Sequence, residues 1–367
     1  EKDNVTVGGD FYTQSSGGLS ANQLYGGTMT LKGNFTQMKG NAENFQAGGT
    51  KIVFAGEGKQ EISFETPESS YFSYPVFENK NIAVKSAIGR WNLNEDITIK
   101  DEGSPLEIVG SMNLNGNTLT VERDTTIRSG NVDIQGGTFK ITGNLVQESG
   151  VMKPNGGKLE VGGDYRIQKY SEKSKGYTES DGALYMSGEK DNVTVGGDFY
   201  TQSSGGLSAN QLYGGTMMLK GNFTQLKGNA SNFQARGTKI VFAGNDLQEV
   251  YIETPSSSYI SNPVYQNTKV CYVGTRKIAL SKDGTTLTAA LPGNDKAISE
   301  GIIYSGDSNP TLDTPGRTRI AFTENIDNKV NFSAEGLEGN TFRAYIIIKD
   351  VAGNDQVFYS EPIKIAG

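Results

Sequence analysis

Apolar and polar residues alternate along this chain in short runs, as in Val5-Thr6-Val7, Met29-Thr30-Leu31 and Leu119-Thr120-Val121. A period of two over three or four residues predicts strands with one buried face, and windows with helical spacing are hard to find. The chain is therefore expected to be all-β.

The runs recur. Residues 1–56 return at 189–244 with four differences: Thr30 stands against Met218, Met38 against Leu226, Glu43 against Ser231 and Gly48 against Arg236. Similarity continues more weakly, QEISFETPESSYFSYPVFEN at 60–79 matching QEVYIETPSSSYISNPVYQN at 248–267, so the large unit is 188 residues long. Within it lies a finer pattern, Gly-Gly-x-apolar-x-apolar-x-Gly-(Asn or Asp)-apolar-x-Gln. It occurs at Gly26–Gln37, Gly136–Gln147, Gly214–Gln225 and, with one extra residue, Gly156–Gln168. Leu119, Phe139 and Leu159 are 20 residues apart, Phe11 and Phe35 24.

Such periods mark the coils of a solenoid. A three- or four-residue strand with two inward apolar side chains cannot bury them alone, whereas stacked coils bury them together. The Gly-(Asn or Asp) steps are expected to form left-handed corners, because Gly lacks a Cβ and Asn or Asp tolerate that region. The recurrent Gln and Asn are expected to stack as side-chain ladders between coils. The predicted fold is thus a β-solenoid, β-helix-like, of stacked coils.

Some stretches break the pattern. The polar run from Tyr170 to Gly182 is expected to leave the stack as a loop. Pro67 and Pro255, in Thr66–Tyr71 and Thr254–Tyr259, oppose ladder pairing and predict turns beside it. Between residues 80 and 110 the pattern is faint. After about residue 270 Gly-Gly pairs thin out and seven strand-like runs follow, starting at Lys277, Leu287, Gly301, Arg319, Val330, Phe342 and Val357. Their spacing predicts an antiparallel sandwich of immunoglobulin or fibronectin type III shape. The expected domains are 1–80, the C-terminal part of a first solenoid unit; 81–269, a second unit; and 270–367, the sandwich.

Composition narrows the function. Forty-eight Gly among 367 residues fit a chain that turns often. A net charge of −7, without a basic stripe, argues against nucleic acid as partner. No apolar run approaches the roughly 20 residues of a membrane span. The single cysteine, Cys271, makes no internal disulfide. The chain contains no His, which removes the usual general base, the Ser and Cys triads and His-ligated zinc.

Carboxylates remain. Glu61 and Glu65, repeated as Glu249 and Glu253, read as a solvated strand face. A β-helix polysaccharide lyase or hydrolase acting on acidic glycans is the rival reading, and it would need acidic clusters in adjacent coils. Asp10, Asp164 and Asp198 occupy corners where Asn34, Asn144 and Asn222 sit in sister coils, an interchange that points to turn chemistry over metal binding. Calcium nonapeptide repeats need a middle Gly that Gly196-Gly197-Asp198 lacks. No catalytic residue, metal or cofactor is expected. Among the aromatics, Phe11, Phe35, Phe199 and Phe223 read as core. Tyr12, Tyr25, Tyr200 and Tyr213 fall at outward positions or corners and are the candidates for a glycan-binding strip.

Gly-Gly-Thr-Phe-Lys-Ile-Thr-Gly-Asn-Leu-Val-Gln at 136–147, and Gly-Thr-Lys-Ile-Val-Phe-Ala-Gly ending at Gly56 and Gly244, resemble β-solenoid repeats in large surface proteins of Gram-positive Firmicutes. The tail around Arg343–Asp350 and Tyr359–Pro362 looks like β-sandwich modules found beside them. The resemblance covers nearly the whole chain, but its motifs are architectural. It implies a secreted, wall-associated or envelope-exposed adhesin, stalk or scaffold with glycans or host surface proteins as partners, and carries over no catalytic residue. These segments hold no anchoring motif. The strand pattern right after Glu1 predicts a start in mid-repeat, as part of a longer chain.

Overall fold

The structure, a computed structural model, describes residues 3–41, 44–85, 87–100, 102–274, 278–291, 297–322 and 329–366. Among them are forty strands and no helix, and the chain winds about twelve turns of β-solenoid. Two compact units emerge: residues 1–221, 225–241 and 256–264, and residues 222–224, 242–255 and 265–367.

In the first unit consecutive coils pair in parallel, one strand above the next. The predicted 20-residue period is the register itself: Leu119 lies beside Phe139, Phe139 beside Leu159, and Leu159 beside Val193. All four are fully buried. Phe11 stacks beside Phe35 in the same way, ring centroids 5.8 Å apart. The faint stretch near residue 90 continues the stack, with Trp91–Asn92 pairing Met112–Asn113 and the Trp91 side chain wholly inside. The prolines behave as predicted, Pro67 lying in a turn closed by Ser70 N–H to Thr66 O at 2.9 Å.

The corners divide their labour differently from the sequence expectation. Left-handed backbone occurs not at the Gly-(Asn or Asp) steps but at Asn115-Gly116, Gln135-Gly136 and Asn155-Gly156, where φ is 48° for each first residue and 80–83° for each glycine. Each pair closes a tight turn, as in Asn117 N–H to Leu114 O at 2.8 Å, and two successive positive φ values define its primed type. The Gly-(Asn or Asp) steps serve close approach instead. Asp124 Oδ1 accepts the Asn144 amide at 2.7 Å, Asn144 Oδ1 the Asp164 amide at 2.8 Å, and Asp164 Oδ1 the Asp198 amide at 2.9 Å. A Cβ on Gly163 would sit 2.3 Å from Asn144 Oδ1, so only glycine leaves room for this ladder. Each rung's backbone bond uses Oδ1, which Asp and Asn both supply; at Asn144 the Nδ2 adds a longer bond to Asp124 Oδ2 at 3.4 Å.

The expected amide-on-amide ladders are correspondingly sparse. Gln168 Nε2 meets Gln202 Oε1 at 3.2 Å, while the buried Gln147 reaches the next coil through other partners, donating to Ala183 O at 3.0 Å as well as to Gly150 O at 2.9 Å and accepting from Tyr165 Oη at 2.6 Å. An inward amide thus satisfies corner carbonyls and reaches the next coil through whichever donor or acceptor stands there, not only through another amide.

The repeated sequence meets different neighbours in its two copies. Val193, Val195 and Phe199 are fully buried beneath Lys158–Val161 and Tyr165–Ile167. Their counterparts Val5, Val7 and Phe11 pair on the other side only, and Val5 is 50% exposed.

In the second unit, Gln248–Ile252 pairs in parallel with Val270–Tyr272. The remainder forms two antiparallel sheets. One holds Ala279–Asp283, Thr286–Ala290 and Lys329–Ser333; the other holds Thr318–Ala321, Ala297–Ser305, Thr341–Lys349 and Asp355–Tyr359, with Ile363–Lys364 on Thr341–Lys349. Leu287 and Ala289 of one sheet share a core with Ile302, Phe342 and Ala344 of the other. All seven predicted strands are present; Lys277 of the first lies outside the described residues.

Two outcomes follow for stability. Phe199→Ala, which empties a fully buried site, is expected to cost about 3–5 kcal/mol, and Phe11→Ala distinctly less although the local sequences are identical; denaturant unfolding of the two variants checks this. Asn144→Asp keeps the Oδ1 rung but sets a carboxylate oxygen against Asp124 Oδ2 where Nδ2 had donated, and is expected to cost about 0.5–1.5 kcal/mol in the same measurement. Gly163→Ala is expected to raise amide exchange at Asp164, since the added methyl displaces its acceptor.

Candidate functional site

The polar run after Tyr165–Ile167 leaves the stack as predicted, but as an antiparallel hairpin, Lys169–Ser171 with Gly176–Thr178. The hairpin folds back over the outer face of the neighbouring coils and roofs a cleft of about 640 Å³. The floor comes from the middle residues of four parallel strands: Glu107 of Leu106–Ile108, Thr126 of Thr125–Ile127, Val146 of Leu145–Gln147 and Arg166 of Tyr165–Ile167. Flanking residues of each strand point into the core, so alternation leaves one outward side chain per coil. The ladder residues Asp124, Asn144 and Asp164 form one wall, and Tyr170, Glu172 and Tyr177 form the roof.

Charged groups in the cleft are organised by two arginines. Arg128 bridges coils, its Nη2 on Glu107 Oε1 at 2.6 Å and its Nη1 on Glu148 Oε2 at 2.9 Å. Arg166 binds Asp164 Oδ2 at 2.9 Å, and its guanidinium lies 3.6 Å from the Tyr200 ring centroid and 4.6 Å from that of Tyr177. This sandwich ties roof to floor through cation–π contacts. Tyr170 and Tyr177 face each other across the hairpin, edge to face at 5.5 Å, each about 40% exposed. Five carboxylates and two guanidiniums line the cleft, a formal charge of −3. Among the described residues, no three His, Cys, Asp or Glu side chains gather as a metal-ligand set.

The four tyrosines picked from the sequence do not form one strip. Tyr12 and Tyr200 project outward from Phe11–Thr13 and Phe199–Thr201, whereas Tyr25 and Tyr213 sit in turns. Tyr12, Tyr25 and Tyr213 are 60%, 65% and 51% exposed. Tyr200 alone joins the cleft's framework, beneath Arg166, with its hydroxyl donating to Asp198 Oδ2 at 2.9 Å. Burial, reinforced by that carboxylate, raises its pKa. Sequence reasoning missed Arg128, Arg166, Tyr170 and Tyr177. One signal was present: a polar run bracketed by two tyrosines, inserted directly after a coil whose outward residue is Arg.

Compared with protein families, curated proteins and solved structures, the chain finds no match among any of the three. Among the described residues no helix is long and apolar enough to cross a membrane.

Asp10 and Tyr12 test the local electrostatics on the uncovered copy. The Asn34 amide, and then the Tyr12 hydroxyl, hold Asp10 below the 3.8 of an ordinary aspartate, while Asp10 holds Tyr12 above 10.0. A folded-state value below the unfolded one contributes stability above the ordinary carboxylate range, lost as pH falls through the lowered value. NMR titration should give midpoints on those two sides, and Asp10→Asn, which removes the neighbouring charge, should lower the Tyr12 midpoint toward that of an ordinary tyrosine.

Proposed function

We propose that this chain is a non-catalytic bacterial surface protein of the Gram-positive kind, an adhesin, stalk or scaffold displayed at the cell wall, with glycan or a host surface protein as partner. Its C-terminal segment, two antiparallel sheets around one core, is the immunoglobulin-like module of that architecture. The observation that carries the reading is the roofed cleft on the outer face of the coils. It offers tyrosine rings, fixed guanidinium donors and carboxylate acceptors, the polar and aromatic mixture that engages hydroxyl-rich ligands. Both arginines are already held by carboxylates, and the chain has no His for proton transfer. The near-identical 56-residue segments add coils of the same chemistry, which suits a device that sets length. Tyr12, Tyr25 and Tyr213 are separate exposed rings, away from the cleft lining, that a glycan or host protein would meet.

A second reading has its own support. Glu107, Asp124, Glu148 and Asp164 lie on adjacent coils with Arg128 and Arg166 among them, the grouping that a β-helix polysaccharide lyase or hydrolase requires. Against it, the carboxylate excess repels the acidic glycans such an enzyme would act on.

Two assays on the same protein separate the readings. Glycan and host-protein arrays are expected to show saturable binding that Tyr177→Ala weakens, while incubation with acidic and neutral polysaccharides leaves reducing ends and unsaturated products at background. Turnover would establish the enzyme; a blank array would remove the adhesive role.

A further inference from the structure

The cleft carries information about the shape and charge of its occupant. Its floor is periodic: Glu107, Thr126, Val146 and Arg166 succeed one another in register, one per coil, at the inter-strand spacing of about 4.8 Å, so four strands span about 14 Å. A linear polymer whose repeat is close to that spacing meets each coil in the same way, and a chain of pyranose rings has such a repeat. A compact monosaccharide would touch one or two coils and leave the rest of the floor unused. The exposed rings of Tyr170 and Tyr177 in the roof and the apolar Val146 in the floor line the same cleft and offer surfaces on which the C–H faces of sugar rings stack.

Charge selects among sugars. Asp164 is balanced by Arg166, but Glu107 and Glu148 share Arg128, and Asp124 adds a further carboxylate on the wall. Glu172 on the roof is ion-paired with Lys175, which does not line the cleft. The carboxylate excess therefore lies at Glu107, Glu148 and Asp124, away from the balanced Arg166 end, and that part of the cleft favours cations and opposes uronates or sulfated chains.

We propose that the cleft binds a linear oligosaccharide of about three sugars bearing free amino groups, laid along the solenoid axis beneath the hairpin. This rests on the glycan-binding reading above. The ammonium groups fall among Glu107, Glu148 and Asp124, and the ring faces pack on Val146 and the exposed tyrosines.

The test is calorimetric titration of the full chain with a glucosamine trisaccharide, its fully N-acetylated form, a uronate trisaccharide and trilysine. The amine-bearing sugar is expected to bind about tenfold tighter than the N-acetylated one, with added salt narrowing the gap, and the uronate to bind weakest. Asp124→Asn and Glu172→Gln are informative variants: the first keeps the Oδ1 rung, as Asn does in sister coils, and the second lies on an exposed hairpin position. Together they are expected to remove most of the preference for the amine while leaving the N-acetylated sugar unchanged. Equal binding of the two sugars would overturn the charge inference and leave glycan binding standing. Trilysine binding as tightly as the sugar would overturn the saccharide assignment, and no sugar binding at all would sink the glycan reading itself.

Discussion

A strand of three residues carries at most two side chains on its inner face, and neither is shielded unless another strand lies above and below. Stacking in parallel register is therefore the condition on which the rest of this molecule depends. It aligns Leu119, Phe139, Leu159 and Val193 in one buried column, and it brings each corner within hydrogen-bonding reach of the next. The ladder from Asp124 through Asn144 and Asp164 to Asp198 exists because the coils repeat their geometry, and the glycines before its rungs exist because the ladder needs the space.

The same constraint leaves one face of every strand unemployed. Outward residues make no contribution to the column, so they are free to carry other chemistry: Glu107, Thr126, Val146, Arg166 and Tyr200 are successive occupants of one outward row. A row on an open face is solvated. The hairpin at Lys169–Thr178 changes that by covering part of it, and Arg166 between the Tyr177 and Tyr200 rings holds cover and floor together. An insertion between coils thus turns a repetitive surface into a partly covered one without disturbing the stack, which resumes at Ala183–Leu184 beside Val151–Met152.

Identical sequence does not guarantee identical environment. Tyr12 and Tyr200 share their neighbours in sequence, and each hydroxyl finds the aspartate two residues before it, yet only Tyr200 lies under an arginine from the preceding coil. Val5 and Val193 differ likewise in burial. In a solenoid, environment is conferred by the coil next door, some 20 to 34 residues away in the chain.

The strands, the coil period, the inward residues and the exit of the polar run were legible in the chain alone, because stacking imposes a period that composition cannot hide. The sequence also showed that Asp and Asn at the Gly-led steps do backbone work, though it assigned those steps the positive φ that Asn115-Gly116 and its equivalents hold. The cleft, by contrast, arises from how the coils and the hairpin meet in space. Outward residues obey no packing rule and so leave no periodic trace, and the meeting of Arg128 with Glu107 and Glu148, or of Tyr177 with Arg166, follows from register and from the direction in which a hairpin folds. Tyr12, Tyr25 and Tyr213 were legible as exposed, but what lies across from an exposed ring is a three-dimensional fact.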